Sequence, residues 1–266
     1  TTDGAGVKLV RVLGNLTTKE FDPILMLDSF DSINPDDYTA GFPMHPHRGI
    51  ETISYVSRGK MVHRDSLGNE AGISDGEVQW MNSGSGIMHE EMVPAAERLL
   101  GVQLWLNLPA KDKMSKPSYN SIKNEDIKEI EIEGGKIRLL AGKYGEHEGY
   151  KGDYLSMDYY DIHLNADAEV TLTMEEDDSV MVFTLLGDVY IDGEHIEEKT
   201  AVKLTEGDSL TIKNGNEKAQ VLYMNSRALN EPVAWAGPIV MNTQEELQKA
   251  FLELRSNTFI KETAEY

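Results

Sequence analysis

Cysteine is absent from this chain of 266 residues, and its absence excludes several kinds of chemistry. Without a thiol there is no disulfide framework, no thiolate zinc site and no cysteine nucleophile. Long apolar runs are missing too, because no stretch approaches the roughly 18 apolar residues that predict a membrane helix. Residues 1–6 are small and polar, with no apolar signal-peptide core. The sequence therefore predicts a soluble cytoplasmic protein with no membrane attachment.

Basic residues are also scarce, with 25 Lys and Arg against 46 Asp and Glu and a formal net charge of −21. Such an excess of negative charge disfavours contact with nucleic acid phosphates and with anionic membranes. We therefore expect no direct nucleic acid binding. The length suffices for two domains that each bury a core, and a monomer is expected.

Short strand-like segments dominate the chain. Alternating apolar and polar residues predict strands at residues 51–56, 77–81, 102–108, 180–185 and 220–224. Many short strands with frequent turns are typical of a sandwich or barrel. Residues 242–256 differ, because a capping Thr243 precedes apolar residues at helical spacing. The prediction is an all-β protein with one amphipathic C-terminal helix.

A weak internal repeat indicates two copies of one architecture. Gly59 precedes Gly76 by 17 residues, and Gly187 precedes Gly207 by 20, in similar local contexts. Both halves are therefore predicted to be small antiparallel barrels. The stretch at residues 111–133 is interpreted as a connector with one helical turn. The predicted domains are residues 1–125 and residues 126–266, with the C-terminal helix in the second.

Two short runs place metal ligands two residues apart. His45 and His47 form one pair, and His89 and Glu91 form the other. Because residues two apart on a strand share a face, each pair can point into one cavity. Three imidazoles and one carboxylate suit a divalent transition metal. The same offsets in the second half lead to Thr173 and Gln220, so that half is predicted to lack the site.

The other histidines have plainer interpretations. His63 and Asp65 are a rival pair two residues apart, but the turn that follows favours a hydrogen-bonded strand end. We expect His147, in a loop at residues 145–149, and His195, beside Asp192 and Gly193, to be exposed to solvent. His163 is expected on a strand of the second domain. Glu90 alternates with its neighbours and is predicted to point away from the metal.

These motifs resemble the pirin family. The resemblance is carried by the strings HPHRG from His45, HRDSLGN from His63, QWM from Gln79 and GSGIMHEEM from Gly84, with LWLNLP from Leu104 and GPIVMNT from Gly237. It extends over nearly the whole chain. One departure is Met44, where many pirins have an acidic residue before the first ligand.

The resemblance implies two tandem cupin-type antiparallel β-barrels, called a bicupin, with one mononuclear iron in the N-terminal barrel and a degenerate C-terminal barrel. Position by position, the family's metal ligands fall on His45, His47, His89 and Glu91. Iron as Fe(II) is the family's usual metal, although Mn, Co, Ni, Cu and Zn also suit such a donor set.

Some pirins resemble flavonol dioxygenases, which implies oxygenolytic ring cleavage of a flavonol such as quercetin, with dioxygen as co-substrate. Glu91 is the candidate general base for the flavonol hydroxyl. The alternative is an iron-dependent protein-interaction or transcription-cofactor role without turnover, acting through a protein partner. A further alternative is binding of a small ligand without reaction.

Three more side chains are candidates for orienting the ligands or the substrate, namely Arg48, Glu51 and Gln103. Gln103 shares a strand face with Trp105 and is expected to face the barrel cavity. Arg48 and Glu51 flank the first ligand pair, and the open alternative is that they only pair with each other. Apolar residues around Trp80 are expected mostly in the core, with some lining a pocket for a flat aromatic substrate.

Overall fold

The structure is a computed structural model that describes residues 1–263. Its chain forms two compact units. The first unit contains residues 1–19, 24–123 and 229–263, and the second contains residues 20–23 and 124–228. Because the first unit is assembled from both ends of the chain, the second unit is an insertion in its sequence.

Twelve strands form most of the first unit. They are β1 (Thr2–Asp3), β2 (Val7–Lys8), β3 (Val10–Leu13), β4 (Ile24–Ser32), β5 (Phe42–His47), β6 (Ile50–Arg58), β7 (Lys60–Asp65), β8 (Glu70–Ser74), β9 (Glu77–Asn82), β10 (Ile87–Met92), β11 (Leu99–Asn107) and β12 (Ser118–Ile122). Single 3-10 turns lie at Pro35–Asp37 and Ala110–Asp112. The strands form a six-stranded sheet in the order β12-β9-β6-β11-β4-β3 and a four-stranded sheet in the order β5-β10-β7-β8.

The second unit repeats this arrangement. Its strands are β13 (Lys128–Ile132), β14 (Gly135–Ala141), β15 (Lys143–Tyr144), β16 (His147–Glu148), β17 (Met157–Leu164), β18 (Glu169–Thr173), β19 (Ser179–Leu186), β20 (Val189–Ile191), β21 (Glu194–Ile196), β22 (Ala201–Lys203), β23 (Ser209–Asn214) and β24 (Ala219–Ser226). The sheet orders are β13-β14-β17-β24-β19-β22 and β18-β23-β20-β21. All pairings within both units' sheets are antiparallel among the described residues.

The chain then returns to the first unit through β25 (Ala234–Ala236), β26 (Ile239–Met241) and helix α1 (Gln244–Arg255). The helix begins as predicted, because Thr243 and Glu246 cap each other's backbone N–H groups in a capping box. Leu247 and Ala250 bury its apolar face against β25 and β26. This helix packs within the first unit, whereas the domain division predicted from sequence groups it with the second half of the chain.

All five predicted strands are confirmed, as β6, β9, β11, β19 and β24. The supposed connector at residues 111–133 was wrong in part, since it contains β12, which pairs with β9 along its whole length. Its alternating charges and serines hide a strand at the edge of a sheet. The all-β fold with two barrels and one C-terminal helix is therefore as the sequence predicted.

The two units fill their interiors differently. In the second unit, one apolar cluster joins residues of both sheets, including Val170, Leu172, Leu210 and Ile212. In the first unit, the apolar cluster between the sheets lies around Phe30, and other inward positions are polar. A closed core therefore occupies one barrel, while the other has room for a site. Among residues 1–263 no helix is long and apolar enough to cross a membrane.

Gly49 lies where β5 and β6 meet β26. It has a φ of +81°, and a Cβ at this position would lie 1.9 Å from the carbonyl oxygen of Val240. The chain passes through this contact directly after His47 and Arg48. Only a glycine fits both the left-handed backbone and the close approach.

We expect Gly49→Ala to lower the free energy of unfolding by about 3 kcal/mol, because backbone strain and a backbone clash act together. Gly237→Ala is the matched control, since Gly237 has a φ of +53° and no atom within 4 Å of the added Cβ. That variant should lose only about 1 kcal/mol. Chemical denaturation measures both, and equal losses would contradict the role of the close contact.

Candidate metal centre

Three histidines meet where β5 pairs with β10. His45 lies opposite His89 in the antiparallel register, and His47 lies two residues along β5. One ring nitrogen from each lies within 4.8 Å of the others. The Nε2 atoms of His45 and His47 are 3.0 Å apart. The strand pairing and the two-residue period thus produce the cluster of imidazoles.

In two of these rings the second nitrogen, Nδ1, lies within hydrogen-bonding distance of a backbone carbonyl outside the cluster. Nδ1 of His45 lies 2.8 Å from the carbonyl oxygen of Pro43, and Nδ1 of His47 lies 3.1 Å from that of Pro238. Because a carbonyl can only accept, these contacts put the ring protons on Nδ1 and leave the Nε2 lone pairs facing the centre. Nε2 of His89 is buried and has no hydrogen-bond partner among residues 1–263.

Two of the three histidine rings, His47 and His89, have lowered pKa values. Burial, with the neighbouring His45 ring, lowers the pKa of His47 to about 3. Burial also holds the pKa of His89 well below its ordinary value, and the adjacent imidazoles add to this effect. Neutral imidazole is the form that binds metal ions. A buried, unpartnered Nε2 beside two more lone pairs therefore fits a divalent transition metal.

Glu91 lies two residues beyond His89, but the pairing of β10 with β5 shifts register between them. Its carboxylate accepts hydrogen bonds from the amides of Gln79 and Gln103, which project from the other sheet. Gln103 is 3.0 Å from Oε2 of Glu91. Within the described residues, the group of ligand atoms close enough to share a metal ion contains the three histidines and not Glu91.

A cavity of about 650 Å³ opens beside this cluster. His45, His47, Glu91 and Gln103 line one part of it. Met26, Phe42, Trp105 and Trp235 add apolar wall, and Arg11 and Asp28 add polar wall. The rings of Trp105 and Trp235 are 5.5 Å apart between centroids, and Trp105 contacts the ring of His47 edge-on. This is the size and composition of a pocket for a small organic ligand.

Arg48 does not face the cavity. Its Nε donates to the carbonyl of Ser85, and its Nη2 donates to Glu253 at 2.7 Å and to the carbonyl of Phe259 at 3.0 Å. The guanidinium also lies over the Phe259 ring, 4.2 Å from its centroid. The sequence predicted that Arg48 orients the ligands or the substrate, but residue 48 follows His47 and so points to the opposite face of the strand. It anchors the C-terminal segment to β5.

Glu51 does not line the cavity either. Its Oε1 accepts a hydrogen bond from Nε1 of Trp80 on the neighbouring β9. The alternative that Arg48 and Glu51 pair with each other was wrong as well, given the partners of Arg48. Gln103 lies where the sequence predicted, on the cavity wall.

His63 and Asp65 are closer to the centre than the sequence suggested. Both side chains are fully buried, and Nδ1 of His63 lies 3.3 Å from Nδ1 of His89. The interpretation as a mere strand end missed this contact. The signal that could have revealed it is the same two-residue spacing on β7, which pairs with β10.

The remaining expectations are confirmed in all but one respect. His147 and His195 are exposed, and His163 lies on β17. The expected loop at residue 147 was wrong, because His147 lies on the short strand β16, and His195 lies on β21. Glu90 points outward, with its carboxylate 3.6 Å from Arg64.

The second unit has no counterpart of the cluster among its described residues. Its strands β18 and β23 occupy the sheet positions of β5 and β10. Inward positions there carry the apolar residues Val170 and Leu172, opposite Ile212 and Leu210. Thr173 lies on the corresponding strand β18, whereas Gln220 lies on β24 in the other sheet. The sequence offset thus found one of the two strands.

Comparison with known proteins agrees with these features. Residues 6–106 match the family model described as Pirin, and residues 159–260 match the model described as Pirin C-terminal cupin domain. A Pseudomonas aeruginosa protein provisionally named quercetin 2,3-dioxygenase is 39% identical over 96% of this chain and 92% of its own length. Human pirin is 35% identical over 96% of this chain and 89% of its own length.

Solved structures are similar as well. A crystal structure named quercetin 2,3-dioxygenase from Acinetobacter baumannii has a TM-score of 0.88 and 31% identity, and it covers 97% of this chain and 94% of its own. A bacterial pirin from Escherichia coli in complex with nickel(II) has the same fold, with a TM-score of 0.65 at 19% identity over 85% of this chain and 94% of its own. The two barrels are thus of the cupin type, and the chain belongs to the pirin family.

Proposed function

We propose that this chain is a metal-dependent dioxygenase of the pirin type that cleaves the heterocyclic ring of a flavonol such as quercetin. The observation that carries the proposal is the convergence of three imidazoles at one end of a cavity with aromatic walls. The similarity to the Acinetobacter baumannii structure named quercetin 2,3-dioxygenase supports the same activity. Dioxygen is the second substrate.

His45, His47 and His89 would hold the metal through their Nε2 atoms, with Glu91 completing the ligand set from the same strand as His89. Fe(II) is the proposed ion, and Mn, Co, Ni, Cu and Zn are compatible with the same donors. A bound divalent metal would supply Lewis acidity, which favours ionisation of the flavonol 3-hydroxyl.

Glu91 is the proposed general base for that hydroxyl. It is buried, lines the cavity and is an acceptor-only group when ionised. The amides of Gln79 and Gln103 hold its carboxylate from the opposite sheet, so its orientation is fixed before substrate arrives.

The walls of the cavity suit a flat polyphenol. Trp105, Trp235, Phe42 and Met26 offer apolar surface for aromatic rings. Away from the histidines, Arg11 holds Asp28 through a two-pronged hydrogen bond at 2.9 and 2.8 Å, which places charged groups within reach of ring hydroxyls. In the proposed reaction both oxygen atoms of dioxygen enter the organic product while carbon monoxide leaves, so no external reductant is needed.

Metal content gives the first test. Purified without chelator, the protein should hold one equivalent of transition metal, and His45→Ala and His89→Ala should each lose most of it because two nitrogen ligands cannot grip the ion. Elemental analysis measures this. His195→Ala is the control, since His195 is exposed and lies in the second unit, where its Nε2 is 3.0 Å from Asp188. Full metal content in both site variants would remove the basis of the proposal.

Turnover is tested by incubating metal-loaded protein with quercetin, with and without air. We expect loss of the flavonol absorbance band only when dioxygen is present, with release of carbon monoxide. A band that persists in air would exclude quercetin dioxygenase activity and would favour the non-enzymatic alternative, a metal-dependent interaction with a protein partner.

The role of Glu91 is tested by Glu91→Gln, which keeps the shape of the side chain but removes the base. We expect kcat to fall by roughly 10²- to 10⁴-fold, the usual contribution of a general base. Glu90→Gln is the matched control, because Glu90 is the adjacent carboxylate and points outward to Arg64. Metal content is measured in parallel, and an unchanged kcat in the Glu91 variant would contradict the proposed role.

A further inference from the structure

The buried pair of His63 and Asp65 lies directly behind the histidine cluster. Both residues belong to β7, which pairs with β10 so that Asp65 lies opposite His89 and His63 opposite Glu91. Nε2 of His63 is 2.7 Å from Oδ2 of Asp65, and both side chains have an exposed fraction of 0%. A carboxylate buried this deeply is uncommon in proteins unless hydrogen bonds compensate for its removal from water.

The Asp65 carboxylate is itself saturated with donors. Its Oδ1 accepts from the backbone N–H groups of Leu67 and Asn69, and the Asn69 side-chain amide donates to both carboxylate oxygens. Burial raises the pKa of Asp65, but the hydrogen bonds from His63 and Asn69 outweigh burial and hold it below its ordinary value. Asp65 is therefore an acceptor toward His63.

The contacts then fix the direction of each hydrogen bond. Because Asp65 accepts, the proton of the His63 ring lies on Nε2, which leaves Nδ1 as the acceptor. That Nδ1 is 3.3 Å from Nδ1 of His89, so His89 must be the donor in this contact. With its proton on Nδ1, His89 keeps a lone pair on Nε2, the buried atom that lacks a partner among residues 1–263.

The ring of Tyr119 packs against the face of the His63 ring and so fixes its plane. The two rings are stacked, with centroids 4.0 Å apart and an interplanar angle of 14°. The Tyr119 hydroxyl lies 3.4 Å from Oε1 of Gln79, whose amide nitrogen donates to Glu91. One edge strand, β12, thus supports both the histidine and the carboxylate sides of the centre.

We propose that Asp65 and His63 are positioning residues that set the ring tautomer of His89, so that its Nε2 presents a lone pair to the metal. The proposal rests on the proposed metal site and goes beyond it, because it assigns a role to two residues that are not ligands. A carboxylate or similar acceptor behind a metal-bound histidine orients the ring and strengthens it as a donor.

The tautomer can be observed without any metal. Nitrogen-15 NMR of the histidine rings in metal-free wild-type protein should show His89 protonated on Nδ1 and not on Nε2, with the His89→Ala variant assigning the signal. A proton on Nε2 of His89 would overturn the proposal. This result does not depend on metal binding, so it is independent of the outcome of the metal and quercetin tests.

Asp65→Asn tests the consequence for the metal. The amide can donate to His63 and so reverse the direction of both hydrogen bonds, which would place the His89 proton on Nε2. We expect this variant and His63→Gln to bind Co(II) roughly 10- to 100-fold more weakly than wild type in competition with a chromophoric chelator. Wild-type affinity and an unchanged His89 tautomer in folded Asp65→Asn protein would overturn the proposal.

Asp188→Asn is the matched control. Asp188 and His195 form another carboxylate and histidine pair, with Nε2 3.0 Å from Oδ2, but it is half exposed and has no contact with a ligand. Its Co(II) affinity should equal that of wild type. Circular dichroism of the metal-free variants establishes that they are folded, and the measurement on wild-type protein remains decisive if Asp65→Asn does not fold.

Discussion

The organisation of the first barrel depends on one constraint, which is that three imidazole rings must be packed together while each keeps an unshared electron pair facing the same point. Packed rings would normally satisfy one another by hydrogen bonding. Here the acceptors lie outside the cluster, at Pro43, Pro238 and His63, and they hold the ring protons on the far side. The geometry of the site thus depends on these surrounding acceptors as well as on the three histidines.

The two barrels show what the same arrangement of strands becomes with and without this constraint. In the second unit, apolar residues on β18 and β23 join a continuous core. The described residues of that unit contain no group of three or more histidine or acidic side chains close enough to share a metal ion. In the first, polar groups such as Gln79 and Gln103 occupy inward positions and are satisfied by Glu91. These two buried amides are tolerated because each has a hydrogen-bond partner across the barrel.

Much of this could be predicted from sequence because the strand has a period of two. That period places His45 with His47 and His89 with Glu91, and it correctly turns Glu90 outward. The same rule should have excluded Arg48, which lies next to His47 and therefore points to the opposite face. A residue next to a ligand in a strand is therefore not a neighbour of the ligand's side chain.

Other features depend on contacts between distant parts of the chain, which no local pattern reveals. The role of His63 follows from the pairing of β7 with β10, and the stacking of Tyr119 on His63 follows from a strand hidden in a charged segment. The C-terminal helix follows the second barrel in the sequence, but Arg48 of the first barrel binds Glu253 on this helix and Phe259 beyond it. Long-range pairing decided each of these outcomes.

The interrupted layout of the first unit has a consequence for its biosynthesis. His47 is held by the carbonyl of Pro238, and Arg48 by groups beyond residue 250, yet residues 124–228 fold into a separate unit. Since the ribosome makes the chain from its N-terminus, the nascent first barrel lacks its last supports until the inserted unit has emerged. The barrel that is translated first is thus completed only after the inserted unit has been made.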